Sequence, residues 1–204
     1  MEYKTVIFAE QLYGNSMDVA RSFVTMWSLR QQLMGNEVEI FTIDPEDSLN
    51  EYIDHYFPMK EESEYSQENK LHEHRLTILQ NEDGFTDSIK KTIKGIKQRT
   101  EGTNKLVLMV ICNVYDQRII DKIKDDQTTV IYFKQSELVR IDNFNRIFKH
   151  HNEDQEEILN YIYARYAENG NSDIKELEDK DAIDLDNLNK QKIDKIVLQL
   201  NSIL

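Results

Sequence analysis

The chain has 204 residues, enough for one domain with a small appendage and a substantial buried core. Its formal net charge of −13 argues against general affinity for DNA, RNA or an anionic membrane, which need clustered Lys and Arg. Cys112 is the single cysteine, so neither a disulfide framework nor a thiolate zinc site is available. Charged residues at 31% and aromatics at 9% suit a globular, soluble chain rather than a disordered one. The N-terminal stretch MEYKTVIFAEQ lacks a signal-peptide pattern, and no apolar run approaches membrane length. A cytoplasmic location without membrane contact is the expectation.

Taken in order, Thr5 to Ala9 is a short β-branched and aromatic run that predicts a first strand. Gln11 to Asn15 makes a loop, and Asn15 or Ser16 caps a helix running to about Met34. Met17, Ala20, Phe23, Val24 and Trp27 recur at helical spacing and form its apolar stripe. Glu37 to Ile43 alternates and predicts a second strand, stopped at Asp44-Pro45. Residues 46–83 are the least legible: SLNEYIDHYF has helical spacing, and a highly charged excursion follows.

Thr86 to Thr100 predicts a helix with Ile89, Ile93 and Ile96 inward and a lysine-rich outer face. Leu106 to Cys112 is an uninterrupted apolar run between Gly102-Thr103-Asn104 and Asn113. Such a run reads as a strand buried on both faces, at the centre of a parallel sheet. Asp116 then caps a short helix bearing Ile119, Ile120 and Ile123, and Thr128 to Phe133 is the fourth strand. One or two short helices follow. Asp154 to Glu168 predicts another helix, Asn171 to Asp186 an acidic connector, and Leu188 to Ile203 a last amphipathic helix.

The fold class expected is a three-layer α/β/α, Rossmann-like arrangement with a mostly parallel sheet of about four or five strands and C-terminal helices. Its divisions are an α/β domain at 1–168, a connector at 169–187 and the terminal helix at 188–204. In such sheets ligands bind beyond the carboxyl ends of the strands, near helix N-termini. That rule selects Glu10, Gly14, Asn15, Ser16 and Asp18 after the first strand, and Asp44 after the second. It adds Asn113 and Asp116 after the central strand and Lys134 after the fourth. N–H groups beside Gly14 and Ser16 could hold a phosphate or carboxylate; simple capping by Ser16 and Asp116 is the plainer reading. No phosphate loop, dinucleotide fingerprint or nucleophile elbow is present. His72 with His74, and His150 with His151, are close pairs without further ligands, so no metal site is expected.

The order of these features resembles the catalytic half of the DHH phosphoesterase superfamily. Asn15 and Asp18, in Gly14-Asn15-Ser16-Met17-Asp18, stand where that family's first polar motif would lie. Leu106 to Asn113 is similar to its second buried strand, with Asn113 in place of a metal-binding Asp. Thr128 to Lys134 is similar to the strand before Asp-His-His, but Phe133-Lys134-Gln135 carries none of those residues. The resemblance implies the α/β scaffold. The departures imply that two-metal hydrolysis is not retained, since Asn bridges no cations and Lys134 would repel them.

The functional reading is a non-catalytic binding or regulatory module, a degenerate phosphoesterase relative or an accessory protein of a phage or mobile element. The alternatives are an enzyme on nucleotides or phosphorylated small molecules, and a subunit that binds a protein partner through its C-terminal helix. Incubated with Mn²⁺ or Mg²⁺, short oligonucleotides and cyclic dinucleotides, the protein is expected to release no product. Turnover abolished by Asp18→Ala or Asp44→Ala would restore the enzyme reading.

Overall fold

The computed structural model describes residues 2–10, 14, 16–44, 83–114, 117–147 and 182–203. The helix expected at 154–168, the excursion at 46–82, the five histidines, Asn15 and Asp116 lie outside these described residues. The described elements are β1 (Glu2–Ala9), α1 (Ser16–Leu33), β2 (Val38–Ile43) and α2 (Asp83–Thr100). They continue as β3 (Leu106–Val114), α3 (Gln117–Ile123), β4 (Thr128–Lys134), α4 (Glu137–Ile147), β5 (Ile183–Asp184) and α5 (Lys190–Ile203).

All five strands are parallel and lie in the order β2-β3-β1-β4-β5. The uninterrupted apolar run does lie inside the sheet: Val107 through Cys112 are fully buried, as are Val6 through Ala9 beside them on β1. Strand geometry sends alternate side chains to opposite faces. Val6 and Phe8, Leu108, Val110 and Cys112, and Ile131 and Phe133 form one cluster with α1 and α5. Phe8 stands at its centre, edge-on to Phe133 at 5.1 Å and tilted against Phe23 at 5.8 Å, geometries aromatic rings favour.

The other parity faces α2 and α3. Tyr3 donates its hydroxyl to the Lys97 carbonyl of α2 at 2.9 Å, and the Tyr132 hydroxyl donates to Gln117 of α3 at 3.0 Å. The result is the expected three-layer α/β/α fold.

One expectation changes. The connector at 169–187 is not merely a linker, because Ile183 and Asp184 pair with Phe133 and Lys134 as a fifth strand. Leu185 behind them is buried, and its N–H donates to the Lys134 carbonyl at 2.8 Å. The C-terminal helix is part of the same body: Ile196, Val197 and Leu200 join Val19, Phe23 and Trp27 in the core. Arg30 of α1 hydrogen-bonds the Asn201 carbonyl of α5. Burying each such side chain contributes about 1.5–3 kcal/mol, so α5 is covered by its own domain for energetic reasons.

Val110→Asp is expected to abolish folding, because Val110 is fully buried in the apolar cluster with α1 and α5. A soluble variant with an unchanged melting temperature would show the central strand to be wrongly placed.

Candidate functional site

The helix after β1 lies on one face and the helix after β3 on the other, while β1 and β3 are neighbours. Their carboxyl ends therefore border the crevice where such sheets take ligands. The strand register is irregular there: Ile7 pairs with Ile111 but Ala9 pairs with Val114, so β3 carries one extra residue at Cys112–Asn113. A bulge of this kind bends the strand end and re-aims its side chains.

Glu10 lies at these strand ends. Its backbone N–H donates to the Val114 carbonyl at 3.1 Å, which carries β1 one residue past its end. The side chain is 1% exposed and turns onto the start of α1. Ser16 donates its backbone N–H to Glu10 Oε2 at 2.9 Å and its hydroxyl to Glu10 Oε1 at 2.5 Å. Ser16 is itself fully buried. A helix leaves its first N–H groups without internal partners and carries partial positive charge at that end, and a carboxylate answers both. One N–H of the foreseen anion seat, that of Ser16, is thus bonded to a carboxylate of the same chain. Ser16 does not cap the helix with its own oxygen; it is the first helical residue, held from six positions upstream.

Cys112 lies beside this contact. Its thiol is pushed up to about 12, first by burial, then by the negative charges of Glu10 and Asp44, with Arg21 pulling the other way. A thiol so placed stays protonated and makes a poor nucleophile. Asp44, half-buried at the end of β2, thus belongs electrostatically to the same neighbourhood as Glu10.

The remaining expected positions disperse. Asp18 is exposed in the first turn of α1, where its charge suits the helix dipole. Gly14 is half-buried, and the Asn113 backbone lies in the bulge. Lys134 is exposed at the far side of β1, in register with Asp184 of β5. Around that corner Asp186 accepts the Ser136 N–H at 2.7 Å, and Lys192 comes within 3.8 Å of Asp184. Among the described residues no group of three or more His, Cys, Asp or Glu could hold a metal ion.

The sequence rule chose Glu10 and Ser16 for their positions but missed Cys112 and Arg21. The available signal was a lone acidic residue directly after an apolar strand, with a serine opening the next helix.

Neither a protein-family model nor a curated protein matches the chain. Among solved structures it is similar to that of TT1252 from Thermus thermophilus, with 13% identity and a TM-score of 0.48. That match covers 100% of this chain and 99% of the other. It is also similar to the crystal structure of an uncharacterized protein from Eubacterium ventriosum, with 6% identity and a TM-score of 0.44, covering 98% of this chain and 97% of the other.

The protonated Cys112 has a consequence at alkaline pH. Its pKa in the folded chain lies above the ordinary 9.0, so its contribution to stability is full below about 9 and is lost as pH rises toward about 12. Urea midpoints measured across that window are expected to fall less for Cys112→Ala than for the wild type. Identical alkaline slopes would show that the thiol is not held as described.

Proposed function

We propose that the protein is a non-catalytic α/β binding or regulatory module whose strand-end crevice is closed by its own carboxylate. The observation that carries this reading is the pair of hydrogen bonds from Ser16 to Glu10. In parallel α/β folds that act on phosphorylated ligands, the N–H groups opening the first helix face the phosphate. Here a phosphate would have to displace a buried carboxylate of like charge, losing two charge-assisted hydrogen bonds and leaving Glu10 without its helix partner. Glu10 in this reading is a structural anion: it fixes the start of α1 and so the surface that the helix layer presents. The neutral Cys112 beside it supplies no nucleophile, which favours binding over covalent chemistry.

The test is thermal unfolding with and without phosphate and nucleotides. Wild-type protein is expected to melt at the same temperature in phosphate, ATP or GTP as in a chloride buffer of equal ionic strength. Glu10→Ala should lose about 1–3 kcal/mol, the cost of leaving buried donors unsatisfied. It should regain part of that stability in phosphate, which can enter the vacated position. A saturable rise in wild-type Tm with any of these ligands would overturn the reading and favour an enzyme or receptor for phosphorylated molecules.

A further inference from the structure

The outer surface of the α1 and α5 layer goes beyond the Glu10 crevice and does not depend on it. Both helices follow parallel strands and so run the same way, and the bond from Arg30 to the Asn201 carbonyl sets their last turns side by side. Those turns, with the residue after α1, carry five of the six exposed large apolar side chains among the described residues: Leu29, Leu33, Met34, Leu198 and Ile203. Leu29 is 56% exposed, Leu33 90% and Leu198 61%. Leu29 and Leu33 share a face of α1 with Met26 and Arg30 at three- and four-residue spacing, and Leu198 stands one turn before Asn201. The three leucines therefore flank the line where the helices meet. They are a second apolar row, apart from the stripe of Val19, Phe23 and Trp27 that serves the core.

The same turns are empty of acids. No Asp or Glu occurs from Val19 to Asn36 or from Lys195 to Leu204, in a chain that has 38 of them. The cations there are Arg21, Arg30 and Lys195, and Arg30 is already bonded to Asn201. The nearest acids are Asp18 in the first turn of α1 and Asp194 one turn before Leu198, next to Lys195 in sequence. Interface centres are depleted of charged residues in this way.

We propose that this face joins two copies of the chain about a two-fold axis, with α1 antiparallel to the partner's α1. Two molecules of net charge −13 repel at long range, and a face without acids is where they can approach. The face offers a strongly charged partner little to select, and it is its own complement. Ser22, Met26, Leu29 and Leu33 are spaced by four, three and four residues, the spacing of knobs-into-holes packing. Turned end for end, the row sets the exposed Leu33 over the partner's small Ser22 and Leu29 over the partner's Met26, each contact occurring twice. The two helices offer a face about 27 Å long and about 20 Å wide. Its projection of about 540 Å², before side-chain relief is counted, compares with the about 600 Å² per partner at which stable interfaces begin.

Light scattering of the full chain at rising concentration tests this. The wild type is expected to double its monomer mass, and Leu33→Glu to associate at least about tenfold more weakly, because a carboxylate then lies in the apolar row. Leu138→Glu, an exposed change on α4, should dimerise as the wild type does. Adding Ser22→Lys to Leu33→Glu should restore the dimer, since the two positions meet only between copies; within one α1 they lie about 16 Å apart along the axis. A wild type that stays monomeric at every concentration would overturn the proposal. So would a dimer that Leu33→Glu leaves intact, or one that the added Ser22→Lys fails to restore. At concentrations where the wild type is monomeric, Leu33→Glu should share its Tm; a lower Tm there would return Leu33 to the chain's own packing and overturn the proposal as well.

Discussion

Two adjacent strands buried on both faces, β1 and β3, set the terms for the rest of the molecule. Buried backbone must be paired, so each needs a strand on either side: β1 lies between β3 and β4, and β3 between β1 and β2. Side chains on both surfaces must be covered, so helices pack above and below. That constraint forces one connection, through α1, to the face opposite α2 and α3. The crevice between β1 and β3 is a product of that divergence rather than a separate invention.

In the crevice the balance of charge is decided by Glu10. Burying a carboxylate costs several kcal/mol unless hydrogen bonds and positive potential offset the loss of water. Two donors from Ser16 at the positive end of an 18-residue helix supply both. Burial first, and then the same negative charge reinforced by Asp44, keeps the Cys112 proton in place. Strand end, helix start and thiol form one electrostatic unit.

The layers and most strands were legible because burial writes itself into residue pattern. Leu106 to Cys112 reads as a strand because neither face of it from Val107 on meets water, and α1 because its stripe repeats at helical spacing. The strand ends were less so: β1 begins at Glu2, three residues before its apolar run, because pairing with β3 continues past the half-exposed Tyr3 and Lys4. β5 was hidden, since Ile183 and Asp184 sit in an acidic stretch and owe their form to the edge of β4. The positions Glu10 and Ser16 could be chosen from topology alone. Their contact could not, because the partners of a buried side chain are set by the packed structure and not by local pattern.

The seam between α1 and α5 bears on how the chain reaches this state. Arg30 and the Asn201 carbonyl that it touches are separated by 171 positions in sequence. During synthesis, the apolar stripe of Val19, Phe23 and Trp27 emerges long before Ile196, Val197 and Leu200 exist to cover it. Contacts of such separation are slow to close, and exposed apolar surface invites association in the interval. That seam therefore cannot close until α5 has been made.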